Sequence, residues 1–353
     1  MDRRVVNVKR EENGLRTCYY GYDNKVKNFS NLEKRAMMIG KYGLDGGRPM
    51  KRARIIYNPT SGREAVRREL PEILQRFEQA GYETSTHATM GEGDATKAAR
   101  LAVERSFDLV VAAGGDGTIN EVIHGLAEHE FRPKVGIIPV GTTNDFARAI
   151  CVPRNVKSAV DVILDGYSKE IDIGRVNDHY FINIAGGGKL TELTYEVPSK
   201  LKTMIGQLAY YLKGVEMLPS IRPTYVQIEY DGKWFEGEVM VFLVSNTNSI
   251  GGLEKLAPDA LMDDGMFDLL IIKKVNIGEL IRLASLAMKG NHINDPNVIY
   301  TTANRIKVHT EEKMQLNIDG EFGGLLPGEF VNLYRHLEFY VPRGRWENED
   351  SQC

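Results

Sequence analysis

Cysteine is scarce in this 353-residue chain. Three occur, Cys18, Cys151 and Cys353, far apart and without a CxxC pair. Neither a structural zinc site nor a disulfide framework is expected, and a reducing compartment fits better. No run approaches about 18 consecutive apolar residues, so no transmembrane segment is expected. Met1-Asp2-Arg3-Arg4 leads into no apolar stretch, so no secretory signal is expected either. Charge of one sign is not in excess: 45 Lys plus Arg stand against 48 Asp plus Glu, a formal net charge of -3. Nucleic acid is therefore not an expected partner, while a local basic face against a membrane stays open. The 7 histidines show no HExxH and no close ligand spacing. The P-loop pattern and the GxGxxG dinucleotide fingerprint are both missing.

What is present is a chain with length enough for two domains, 42% of it hydrophobic. Residues 1–49 are polar and weakly periodic, and read as a flexible extension or a non-native start, with Met50 as an alternative first residue. From residue 51 the pattern alternates. Short apolar strands at 51–57, 82–88, 109–113 and 135–139 are separated by helical spacing at 64–79, 94–105 and 119–128, with a further helix at 159–165. This predicts an α/β domain with a mostly parallel sheet over 50–175. Beyond about residue 169 strands crowd together: 170–175 with 180–186, then 225–230 with 234–246 around Asp231-Gly232, a hairpin signal. Strands at 267–273, 305–309, 314–318 and 330–341 complete a mainly β, sandwich-like domain over 176–329. Helices are expected near 201–216 and 277–288. Residues 330–353 form a last strand and tail able to return to the first domain.

Three polar, glycine-containing loops follow strands of the first domain. They are Asn58-Pro59-Thr60-Ser61-Gly62, Gly114-Gly115-Asp116-Gly117-Thr118 and Gly141-Thr142-Thr143-Asn144-Asp145. In a parallel sheet all three emerge at the strand C-terminal ends, the edge where open α/β folds bind ligands. Glycine lets backbone approach a ligand closely, and amides at a helix start attract phosphate. Asp116 can position magnesium and water beside such phosphates.

Together these motifs resemble the diacylglycerol kinase catalytic-domain family, with sphingosine and ceramide kinases in the wider group and NAD kinases and phosphofructokinases more distant. The likeness runs from about Met50 to near Arg343 and is strongest to the soluble bacterial members. It implies an active site in an interdomain cleft. Asn58, Thr60 and Gly62 would lie along the ATP phosphates and Thr89 near the nucleotide. Gly115 and Asp116 would hold the triphosphate and its magnesium, and Thr142 would touch ATP. Asp145 and Asp172 would order water and charge in the cleft. Glu321, in Ile318-Asp319-Gly320-Glu321, occupies the position of the general base that takes the proton of a lipid hydroxyl. Read alone, Asp319-Gly320-Glu321 is also compatible with a plain acidic turn.

The loop Leu261-Met262-Asp263-Asp264-Gly265-Met266 reads either as a solvated turn or as a site for a hard cation. The resemblance implies a structural Mg2+ there, held by the Asp264 side chain and the main-chain oxygens of Leu261 and Met266. Residues 201–218, apolar and flanked by Lys200, Lys202 and Lys213, read as a membrane-docking segment or as a packed helix. The implied reaction moves the γ-phosphoryl of ATP to diacylglycerol at the membrane surface, from the cytoplasm and with transient peripheral attachment. Homodimers are common in the family, and no interface is legible. A kinase for a sphingoid base, another neutral lipid or NAD is the competing reading. A non-catalytic phosphate or lipid sensor is more remote, since Asp116 and Glu321 both carry carboxylates.

Overall fold

The computed structural model describes residues 50–188, 222–248 and 255–346. The expectations for residues 1–49 and for 201–218 fall outside them. The chain opens on β1 (Lys51–Tyr57), passes a 3-10 turn at Ser61–Glu64, and enters α1 (Ala65–Gln79). Then follow β2 (Tyr82–Ala88), α2 (Asp94–Glu104), β3 (Leu109–Gly114), α3 (Asp116–Ala127), β4 (Lys134–Pro139), α4 (Asp145–Ala149) and α5 (Val156–Asp165). The strands lie in the order β4-β3-β1-β2, all parallel. β3 is buried along its whole length, as a strand covered on both faces must be.

Small side chains set the spacing of the helices that carry the site. α2 buries Ala95, Ala98, Ala99 and Ala102. Facing them is Gly125 of α3, where a Cβ would meet Thr96 O at 2.4 Å. Glu121 of α3 accepts the Ala95 amide at 3.0 Å, and its own carbonyl accepts Thr96 Oγ1 at 2.9 Å. The start of α2, short of intrahelical partners like any helix start, is thus capped by the helix beside it.

The second half runs β5 (Ser168–Val176), β6 (His179–Phe181), β7 (Ile184–Gly187), β8 (Thr224–Tyr230), β9 (Lys233–Ser245), β10 (Phe267–Lys273), α6 (Ile277–Ala287) and β11 (Val298–Ala303). It ends with β12 (Arg305–His309), β13 (Gln315–Ile318), β14 (Glu321–Leu325), β15 (Gly328–Tyr340) and α7 (Arg343–Trp346). Its core gathers Phe181, Phe242, Phe267 and Phe330 with aliphatic partners. Ring centroids of Phe181 and Phe267 lie 5.4 Å apart. The β8–β9 hairpin turns at Asp231-Gly232, both at positive φ, the geometry of a type I′ turn.

The two halves share one sheet because of β15. It is antiparallel to β5 and β12, and at Phe339 it pairs in parallel with Val135 of β4. Phe339 packs edge-on against Phe146 of α4, 5.1 Å between centroids. An α/β half with parallel strands followed by a β-rich half is the architecture expected.

Several local expectations are corrected. α3 begins at Asp116 with Gly115 as its N-cap, so Asp116-Gly117-Thr118 is the first helical turn and not a loop before it. Residues 180–186 are not one strand. The chain bends at Ile182 and Asn183, because the amides of Ile182, Asn183 and Ile184 all turn to the Asp319 carboxylate and away from a ladder. Elements not foreseen include α4, β11 and β14. α4 has five residues, too few for a helical period. β11 lacks strict alternation of buried and open positions. β14 contains Gly323 and Gly324, which carry no strand preference.

Candidate active site

The ends of the parallel strands are stitched sideways into one platform. Thr89 N donates to Tyr57 O at 2.9 Å, Asn58 N to Ala113 O at 3.0 Å, and Val140 N to Gly114 O at 2.9 Å. The hydrogen-bond ladder therefore continues into the segments that carry Asn58–Gly62, Thr89, Gly114–Thr118 and Thr142. Asn58 orders its own loop, its Oδ1 accepting Thr60 N at 3.0 Å and Thr60 Oγ1 at 2.9 Å. Pro59 and Ser61 complete the entry to the 3-10 turn. Thr60, Gly62 and Thr142 stay exposed.

Glycine is required where these loops meet. Gly62 has φ +57, and a Cβ there would lie 2.5 Å from Val140 O. A Cβ on Gly141 would lie 2.5 Å from Gly115 Cα, and one on Gly114 would strike the Thr118 side chain at 2.5 Å. Backbone thus meets backbone, and amides at the α3 start face the edge with the positive end of the helix dipole behind them.

Asp116 ties this turn to the next loop. Its Oδ2 accepts Asn144 N and its Oδ1 accepts Asp145 N, both at 2.8 Å. Asn144, buried and left-handed at φ 52, closes its loop by accepting Gly141 N at 3.0 Å and donating to Gly141 O at 2.8 Å. Burial raises the Asp116 carboxyl above the usual carboxylate range, while the two amides and the nearby Arg148 pull it down. Arg148 donates to Thr143 O at 3.1 Å, and Arg154 to the carbonyls of Thr142 and Thr143 at 2.9 and 2.7 Å. Sequence reasoning missed both arginines. Arg154 lies beyond α4, and no local pattern links it to the loop.

Glu321 arrives from the other half of the chain. It is the first residue of β14, exposed, after the Asp319-Gly320 turn. A Cβ on Gly117 would stand 3.4 Å from its Oε1. The expected base carboxylate and the phosphate loop are therefore together. Asp319 is half-buried, with its carboxyl pushed up to about 6 by desolvation first and by the neighbouring Asp116 last, against the pull of three amides.

Asp172 belongs to a second group. Expected to order water and charge in the cleft with Asp145, it is instead wholly buried in β5 with both oxygens on backbone amides. Its Oδ2 accepts Gly265 N at 2.6 Å, and its Oδ1 accepts Arg335 N at 2.7 Å from the bulge of β15. Asp172 N donates to Met262 O at 2.7 Å. The loop it holds carries Leu261, Asp264 and Met266. Asp264 Oδ1 accepts Met266 N at 2.9 Å, and Met266 O accepts Asn332 Nδ2 at 3.0 Å.

Burial raises the carboxyls of both Asp172 and Asp264 against the pull of their amide partners; Asp263 raises both further, and Asp264 raises Asp172. Asp268, bonded by Tyr300, is raised to about 6 by burial, with Asp264 and Asp259 adding to it. Such mutual repulsion is what a bound cation relieves. Among the described residues no three His, Cys, Asp or Glu side chains form a metal-ligand group. A hard cation here would draw on main-chain oxygens.

Residues 52–176 match the model of the diacylglycerol kinase catalytic domain, and residues 193–340 that of the YegS C-terminal NAD kinase beta sandwich-like domain. A diacylglycerol kinase of Bacillus subtilis is 66% identical over 303 residues, covering 86% of this chain and 100% of that protein. A diacylglycerol kinase of Staphylococcus carnosus is 53% identical over 293 residues, 83% of this chain and 96% of the other. Among solved structures, a diacylglycerol kinase from Bacillus anthracis superposes with a TM-score of 0.70 at 28% identity, covering 83% of this chain and 98% of that one. With relatives this similar over nearly their whole length, the chain belongs to the diacylglycerol kinase family.

Proposed function

We propose that this protein transfers the γ-phosphoryl of ATP to the free hydroxyl of 1,2-diacylglycerol, giving phosphatidic acid and ADP. The observation that carries this is the approach of Glu321 Oε1 to Gly117, which puts a carboxylate beside the helix start that faces phosphate. The names of the similar proteins support diacylglycerol as the acceptor.

In this reading the loops at Asn58–Gly62, Gly114–Thr118 and Thr142, with Thr89 beside them, bind ATP. Glu321 takes the acceptor's hydroxyl proton as the oxygen bonds to the γ-phosphorus. The bond to the bridging oxygen breaks and the electron pair leaves with ADP. Amides at the start of α3 stabilise charge on the phosphates. Asp116 holds the edge of the site by fixing the start of α4, and Asp145 and the Arg148 guanidinium add charge beside it. Asp172 braces the acidic loop against β15.

Magnesium bound with the nucleotide neutralises phosphate charge. Asp116 would hold that ion, and Asp264 with the main-chain oxygens of Leu261 and Met266 would hold a structural one. The repelling carboxylates of the acidic loop support the second assignment. No helix among the described residues is long and apolar enough to cross a membrane. In this reading the enzyme meets its lipid from the cytoplasm, by peripheral contact.

The test is magnesium-dependent transfer of labelled γ-phosphate to diacylglycerol in mixed micelles, with sphingosine and NAD as rival acceptors. Phosphatidic acid from the parent and its loss in Glu321→Gln and Asp116→Asn support the reading. Phosphorylation of NAD or sphingosine in place of diacylglycerol overturns the acceptor.

A further inference from the structure

The base carboxylate is carried on a short strand. Among the described residues β14 ends the sheet, five residues long, two of them glycine. Its ladder to β13 slips between Gln315 and Asn317. Glycine inside a strand weakens it. Yet Glu321 must stand at a defined distance from the phosphate loop, because a misplacement of about 1 Å can lower a rate by about a hundredfold.

The turn before it is anchored outside its own hairpin. Ile318 pairs with Glu321 across Asp319 and Gly320, at φ 49 and +91. This repeats the two-residue turn at Asp231-Gly232, whose exposed aspartate also clamps a neighbouring segment, accepting Asn304 N at 2.9 Å and Arg305 N at 3.1 Å. Withdrawing a carboxylate from water is costly unless it is fully bonded. Asp319 is so bonded. Its Oδ1 accepts the amides of Asn183 and Ile184, and its Oδ2 that of Ile182, all at 2.9 Å. Its own amide donates to Ile184 O at 2.8 Å.

The bend that receives it is fixed from its other side. Asn246 N donates to Asn183 O at 2.8 Å. Asn246 Nδ2 bonds Ile182 O at 3.2 Å and Asp172 O at 2.9 Å. The N–H groups of the bend thus go to Asp319 and its carbonyls to Asn246.

We propose that Asp319 is the positioning residue for Glu321: it pins the β13–β14 hairpin to the bend between β6 and β7 and so sets where the base carboxylate stands over the phosphate loop. The inference rests on the proposed role of Glu321. Asp319 touches no reacting atom and acts through Glu321.

The experiment compares the full-length parent with Asp319→Asn, which keeps shape but offers an NH2 group to one of the three amides. Formation of phosphatidic acid is expected to fall at least about tenfold in kcat, with KM for ATP changed by less than about twofold. In a Glu321→Gln background, followed with labelled ATP, the same change is expected to cost less than about twofold, because the group it positions is already gone. Hydrogen exchange is expected to quicken at residues 182–184 and 321–325, while the parallel sheet is unchanged.

An unaltered kcat, or an equal loss in both backgrounds, overturns the proposal. If Asp319→Asn does not fold, Gly320→Ala decides it. Its Cβ meets nothing within 4 Å, so its effect comes from the strained φ alone, and it should give the same split between kcat and KM. A parent that leaves diacylglycerol unphosphorylated overturns the proposed function instead. Hydrogen exchange then still reports whether the hairpin is clamped.

Discussion

Gly117 and Glu321 meet across the two halves of the chain: a Cβ on Gly117 would stand 3.4 Å from Glu321 Oε1. One residue belongs to the first turn of α3 and the other to the first position of β14. Their meeting turns two separate motifs into one site. It is also why replacing the glutamate should affect chemistry more than nucleotide binding.

Glu321→Gln should lower kcat by about 10²–10⁴-fold, the range for loss of a general base. KM for ATP should change by less than about threefold. Because Glu321 is exposed, the melting temperature should hold. A variant with normal kcat and a raised KM for ATP would move the residue from the base to the nucleotide site.

Gly141→Ala should destabilise the fold by about 1–3 kcal/mol, the usual penalty of overpacking. Its Cβ would lie 2.5 Å from Gly115 Cα and 2.7 Å from Asn144 Oδ1. Because the strike is on the phosphate-loop backbone, KM for ATP should rise as well. Gly91→Ala is the control, with nothing within 4 Å of its Cβ. Urea unfolding of both variants checks this, and equal stabilities would refute the close approach of the two loops.

The carboxyl of Asp319 is raised to about 6 by burial. A carboxyl raised on folding favours the folded state below its unfolded pKa. That advantage is lost as pH rises from about 4 through about 6, a change on the order of 3 kcal/mol. Asp268, also raised to about 6, acts in the same direction. Asp319→Asn should therefore be less stable at low pH but show a flatter fall between about pH 4 and 7. Urea midpoints across this range measure it, and parallel curves for parent and variant would count against the buried charge.

Magnesium should raise the melting temperature without nucleotide, by an amount that grows with its concentration. At about a hundredfold excess over the dissociation constant the gain is about 2.7 kcal/mol. Asp264→Asn should lose most of this gain and Asp116→Asn should keep it. An equal gain in Asp264→Asn, or none in the parent, would remove the cation from the acidic loop.

Much of the first half was legible. The apolar runs at 109–113 and 135–139 gave buried strands, and their alternation with helices gave a parallel sheet. A parallel sheet puts the loops after its strands on one edge, so strand direction alone was enough to bring the three motifs to that edge. The turn at Asp231-Gly232 and the exact span of β10 were legible for the same local reason: side-chain period and turn residues act over a few neighbours. The family resemblance, carried by those motifs, was borne out by the matches to known proteins.

What the sequence alone determined, then, was the class of the fold, the edge that faces phosphate, and the residue types available there. Tertiary structure decided which distant residues answer them. The bend at 182–184 exists because Asp319, far along the chain, takes its amides. Asp172 of β5 ties the acidic loop to the bulge of β15, one oxygen on the Gly265 amide and the other on that of Arg335. Glu321 reaches Gly117 within a single sheet that β15 carries through both halves. Periodicity records only which side of an element is buried. Which partner is buried against it depends on the path of the whole chain, and that path appears in no local stretch of residues.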